Sequence, residues 1–280
     1  MRLDAFRTEL PRVFGGDLNA SHPLDRRFRA LLEDVPGMAT ESKLALLNLA
    51  AAHLEPGEAY LEVGSFKGLS LIGAMLRNPH ARFYAVESFL EFNRDAGATR
   101  EELLGNLDRW VALQRLALLE GDCFRLLRRP RALEGPVGVY FYDGAHGRLP
   151  HYLALAVAER WLADRALVMV DDASWPIVAR ATDRYLAAHP GYELLFDLPA
   201  EREEDPRWWN GLRVYAFRRP PGAGATRRLS PDVAWRLLAY HFAYRPSMRL
   251  AWTTLPNHPR LTSTLRKIVP MGSRRVPECG

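Results

Sequence analysis

The sequence predicts an α/β fold, a doubly wound and mostly parallel sheet of seven strands. Three observations predict it. Between residues 59 and 218, short runs rich in aliphatic and aromatic residues alternate with helical stretches. The first run ends in a glycine-bearing turn, Glu62-Val63-Gly64-Ser65-Phe66-Lys67-Gly68, that feeds a helix. Two later runs end in aspartates, at the rim where open α/β sheets bind ligands.

Each element follows from local signals. Asp25 to Glu33 reads as a short helix within an N-terminal extension, and Pro36-Gly37 breaks the chain after it. Thr40-Glu41-Ser42 offers caps for a helix from Lys43 to Leu54, which Pro56-Gly57 ends. Ala59 to Val63 is the first strand, followed by a helix from Leu69 to Leu76. Arg82 to Glu87 is the second strand, with a helix over Arg100 to Leu113. Leu116 to Glu120 and Val137 to Tyr142 are the third and fourth. A helix opens near Pro150, a good first-turn residue, and runs to Asp164. Ala166 to Val170 is the fifth strand, and Pro176 to His189 a helix. Tyr192 to Asp197 and Leu212 to Arg218 have no helix between them, so they close the Rossmann-like sheet as an antiparallel hairpin. Pro220 to Ala225 reads as a linker, and a helix is expected around Asp232 to Tyr244. The expected divisions are an N-terminal extension or lid over 1–40, a cofactor-binding domain over 41–219 and a basic C-terminal extension over 220–280.

Composition excludes some classes. The chain has 280 residues, 48% hydrophobic and 25% charged, an ordinary globular balance. Its longest apolar runs, such as Ala166 to Val170, are far too short to span a bilayer. The N-terminus carries an early acid and no apolar core, so it does not read as a secretory signal. Cys123 and Cys279 read as free thiols in a reducing compartment, and a cytoplasmic protein is expected. The formal net charge is +5, and only Lys43, Lys67 and Lys267 among the cations are lysines. From Arg227 to Gly280 ten cations face two acids, Asp232 and Glu278. That basic segment reads as a lid or dimer arm; nucleic acid is not the expected partner, because no RNA-binding motif interleaves the arginines.

The chemistry sits at the strand ends. Gly64 permits a tight turn and close backbone approach, and Gly68 lets the helix pack near the sheet. A pyrophosphate fingerprint needs a second glycine where Phe66 stands, so a ligand without phosphate is favoured. Glu87 ends the second strand 23 residues beyond Gly64, placed to accept both hydroxyls of a ribose. Gly121-Asp122-Cys123 follows the third strand, and Asp122 reads either as an adenine-side residue or as a plain turn or cap. The fourth strand ends Tyr142-Asp143-Gly144-Ala145-His146 and the fifth Val170-Asp171-Asp172. Three converging carboxylates repel unless a cation lies between them, and hard oxygen ligands favour Mg²⁺, Ca²⁺ or Mn²⁺. Such a cation would lower the pKa of a substrate hydroxyl. His146 has a suitable general-base side chain, although aspartates here also cap helices and His146 could lie on the surface. Trp175 and Trp208-Trp209-Asn210-Gly211 are candidate covers for an acceptor, or packing residues.

Together these segments, with Leu69-Ser70 and Val86-Glu87-Ser88-Phe89, resemble class I S-adenosylmethionine-dependent methyltransferases over roughly Thr40 to Arg218. The set is most similar to the cation-dependent catechol O-methyltransferase-like group and to bacterial enzymes acting on macrolide sugars and other secondary metabolites. The resemblance implies that Glu62, Gly64 and Ser70 hold the methionine part and Glu87 the ribose, with Asp122 and Cys123 by the adenine. Ser65, Phe66, Gly68, Ser88 and Asp143 complete the expected cofactor-binding set. It implies Asp143, Asp171 and Asp172 as ligands of a divalent cation, expected to be Mg²⁺. His146 falls where catechol-type enzymes place a catalytic lysine, so His146 and Asp143 are the expected catalytic pair. The acceptor expected is a small hydroxylated molecule, and the assembly a homodimer or higher homo-oligomer. The alternatives are an RNA- or protein-directed methyltransferase using the basic segment, and a non-catalytic binding protein.

Overall fold

A helix now stands where the chain begins. In the computed structural model, which describes residues 1–89, 96–111, 115–222 and 229–247, α1 spans Leu3–Val13 and turns Leu3, Phe6 and Leu10 inward. Phe6 is fully buried and meets Phe196 edge to face at 6.3 Å. Then come α2 (Arg29–Asp34) and α3 (Glu41–Ala52), the latter capped by the Thr40 hydroxyl, which accepts from the Lys43 N–H at 3.2 Å. Strand and helix alternate from there: β1 (Ala59–Val63), α4 (Leu69–Met75), β2 (Arg82–Glu87), α5 (Ala96–Val111), β3 (Leu116–Glu120), α6 (Cys123–Leu126) and β4 (Val137–Tyr142). α7 (Arg148–Ala158), β5 (Leu162–Asp171), α8 (Pro176–Ala188), β6 (Tyr192–Leu198) and β7 (Leu212–Arg218) complete the sheet, and α9 (Pro231–Ala239) follows it.

The sheet runs β3-β2-β1-β4-β5-β7-β6. β1 to β5 are parallel, and β7 inserts antiparallel between β5 and β6. The strand order reverses between β1 and β4, so their carboxyl ends open the crevice where such sheets bind ligands. β1 and β4 are buried along their whole length, as central strands covered on both faces should be.

The chain divides into units Met1–Leu229 and Ser230–Gly280, and Phe6, Phe14, Phe28 and Leu31 belong to one core with β1 and β5. Two element boundaries differ from those expected. The helix expected to reach Asp164 stops at Ala158, because a 3₁₀ turn over Glu159–Trp161 intervenes. Leu162 then already pairs with Val137, giving β5 ten residues. Parts of the linker, the end of the helix expected to reach Leu113, Cys279 and most of the basic segment lie outside the described residues. No described helix is long and apolar enough to cross a membrane.

Candidate active site

The turn after β1 is shaped by positive backbone angles. Gly64 has φ +94°, and a Cβ there would lie 2.0 Å from the carbonyl oxygen of Asp143. The turn thus rests on the end of β4, at a distance that only a glycine permits. Phe66 takes φ +48°, a left-handed conformation uncommon for a residue other than glycine, and its N–H donates to Glu87 Oε2 at 2.8 Å. The Phe89 N–H donates to Oε1 at 2.8 Å, so Glu87 is fixed across the turn. Gly68, φ +94°, starts α4 under Leu103.

Beneath the turn lies Glu62, fully buried in β1. Tyr60 Oη donates to its Oε2 at 2.9 Å and Ser70 Oγ to its Oε1 at 2.8 Å. Burial lifts the Glu62 carboxyl to about 7, against the hydroxyl donors of Ser70, Tyr60 and Ser65. Asp122 caps α6, accepting from the Phe124 N–H at 2.9 Å, and Cys123 is the first residue of that helix. Ser88 is half-buried beside Glu87.

The acids at the ends of β4 and β5 divide into two groups. Asp172, at φ +53°, pairs through Oδ2 with His146 Nε2, while Asn210 Nδ2 donates to its Oδ1 at 2.9 Å. Asp143 Oδ1 stands 3.8 Å from the same His146 nitrogen. Asp171 turns elsewhere. Lys43 Nζ lies 2.7 Å from both of its oxygens, and the side chains are 1% and 2% exposed. Burial opposes the Lys43 charge, but Asp171, Asp143 and Asp172 together raise its pKa above the ordinary value.

The imidazoles differ sharply. Burial favours a neutral His146, yet the Asp172 and Asp143 carboxylates outweigh it and lift the ring to about 10. His151 is pushed down to about 3 by burial and by the neighbouring His146 charge. Trp175 meets His146 edge to face at 5.1 Å, and His151 lies 5.8 Å away on another side.

The expected cation site is tested by this arrangement. A Mg²⁺ ion held by Asp143, Asp171 and Asp172 does not fit, because Lys43 occupies both oxygens of Asp171. Asp143, His146 and Asp172 each offer one ligand atom within 4.8 Å of the others, but the His146 nitrogen is engaged by Asp172. Asp171, expected as a metal ligand, is the partner of Lys43 in this structure. Of the two readings open for Trp208 the structure has the packing one: it is 2% exposed, packs on Phe14 at 5.5 Å and donates to the Leu18 carbonyl.

Sequence reasoning missed Lys43 and the role of Asn210. The signal for Lys43 was its place directly before the apolar run Leu44 to Leu47 in a chain nearly devoid of lysine.

No family model matches the chain, and no curated protein matches its sequence. Solved structures do match its fold. Cofactor-bound Rv0187 from MTB is 21% identical with a TM-score of 0.53, over 78% of this chain and 97% of that one. An O-methyltransferase from Bacillus cereus in complex with SAH is 13% identical with a TM-score of 0.51, over 76% of this chain and 97% of that one. The chain is thus similar in fold to these structures, an O-methyltransferase among them, and its own seven-stranded sheet with an antiparallel close is a Rossmann-like methyltransferase fold.

Proposed function

We propose that the protein is an S-adenosylmethionine-dependent methyltransferase that methylates a hydroxyl oxygen of a small acceptor, a sugar or a secondary metabolite. The observation that carries the reading is the contact of Gly64 with the Asp143 backbone, which joins a cofactor turn to a carboxylate–imidazole pair on one rim. The likeness to an O-methyltransferase bound to S-adenosylhomocysteine supports it.

When bound, S-adenosylmethionine supplies an electrophilic methyl group. The chain's residues hold and align. Glu87, fixed by two backbone donors, keeps further lone pairs for ribose hydroxyls. Glu62 and Ser70, under the turn, would hold the amino-acid end, Ser65 and Ser88 would flank the cofactor, and Asp122 and Cys123 would lie by the adenine. His146 takes the proton of the acceptor hydroxyl. His146 is held by Asp172 at Nε2, and the Asp172 and Asp143 carboxylates stabilise the imidazolium that forms. Trp175 covers the ring and limits water. No step is routed through a divalent cation, since Lys43 holds Asp171.

Calorimetric titration with S-adenosylmethionine and S-adenosylhomocysteine tests the cofactor. Transfer of a labelled methyl group to a panel of hydroxylated sugars and phenols then tests the reaction. Both ligands are expected to bind. Binding of neither ends the reading, and binding without transfer to any hydroxyl removes its catalytic half.

A further inference from the structure

We propose that Lys43 is a built-in cation that fills the electrostatic place of a divalent metal at the rim of the sheet, so that the site works without one. The proposal rests on the methyl-transfer reading of this site. Asp143, Asp171 and Asp172 end two neighbouring strands, the last two buried and Asp143 half-buried, and carboxylates so placed require positive charge between them. Lys43 brings it from α3, with Nζ 2.7 Å from each oxygen of Asp171. The ammonium also acts on Asp143 and Asp172. Asp172 is served by Asn210 and His146. The oxygens a hard cation would take at Asp171 and Asp172 are therefore held by donors of the chain itself.

Packing does not explain this lysine. Glu41 to Ala51 of α3 are all buried, and a methionine would fill the same volume without the cost of burying a charge. Thr40, which caps that helix, also donates to the Arg207 carbonyl at 2.6 Å, tying the helix start to the loop that carries Asn210. Lys43 is thus a positioning residue. It turns Asp171 away from the Asp143–His146–Asp172 group and leaves that group to the acceptor. A divalent ion arriving there would meet an ammonium that is tethered and cannot diffuse away.

The test uses the full chain, stripped with a chelator and titrated with Mn²⁺ by electron paramagnetic resonance. Wild type is expected to take up no stoichiometric Mn²⁺ and to bind S-adenosylhomocysteine equally well with chelator or with Mn²⁺. K43M, which uncovers Asp171, is expected to gain Mn²⁺ affinity by about tenfold or more. K43R should behave as wild type, and K43M/D171N should lose the gain. A merely structural lysine would lower the stability of K43M and open no cation site. Stoichiometric Mn²⁺ binding by wild type that D172N removes would overturn the proposal, as would a folded K43M with no gain. If K43M does not fold, the wild-type titration alone decides. Failure of the methyltransferase reading looks different: S-adenosylhomocysteine then binds under none of these conditions, whatever Mn²⁺ does.

Discussion

His146 is held charged where its reaction needs it neutral, and that sets how the rate must depend on pH. A ring lifted to about 10 by its two carboxylates is a strong base that is scarce in its neutral form at neutral pH. The neutral fraction rises with pH up to that value. We therefore expect kcat to climb through the neutral range with unit slope and level off only near 10. A profile flat from the acid side of neutrality upward would remove His146 as the base. H146N should lower kcat by about 10²–10⁴ and leave S-adenosylhomocysteine binding intact. Gly64 makes the opposite kind of demand. G64A forces a side chain into φ +94° and onto the Asp143 carbonyl, at a cost of roughly 2–6 kcal/mol. Cofactor binding should fail before the fold does; calorimetry that finds unchanged affinity would show that the turn is not the cradle.

Among the elements, α1 and α3 had the least legible roles. The strands of the sheet were legible because each is a short apolar run between turn signals, and β1, β2, β3, β4 and β7 occupy the residues their patterns indicate. The glycine turn and the aspartates of the strand ends were legible for the same reason: they are local. What could not be read was direction. Asp171 and Asp172 are adjacent, yet one faces α3 and the other His146, because Asp172 takes a left-handed backbone that no composition signals. For Trp208 cover and packing stay open in the sequence until Phe14, far away along the chain, is seen against it. α1 was passed over because its inward stripe is only Leu3, Phe6 and Leu10, interrupted by charges. Its anchoring in the core predicts that F6A destabilises the protein by about 3–5 kcal/mol. Urea unfolding would check this, and a loss under about 1 kcal/mol would restore α1 to the status of a loose extension.

At the scale of the whole molecule, two buried histidines give the stability curve two opposing limbs. For His146 the folded state binds its proton up to about 10, whereas the unfolded chain releases it near 6.5. Its contribution is complete below 6.5 and is lost as pH rises toward 10. For His151 the sign reverses, since the folded state refuses a proton until about 3. Its contribution is complete above 6.5 and is lost as pH falls toward 3. Each limb has the slope of one proton, about 1.4 kcal/mol per pH unit, so these groups alone place the optimum near neutrality. H146N removes the alkaline limb and, by taking away a charge that lowers His151, also shortens the acid one, whereas H151N removes the acid limb and leaves the alkaline one. Both residues lie within the unit Met1–Leu229, so a chain ending at Leu229 should show the same two limbs and the same affinity for S-adenosylhomocysteine. Urea midpoints measured from about pH 5 to about pH 9 would test this. An alkaline limb that survives in H146N would assign it to another group and would withdraw the charged imidazole from the centre of the site.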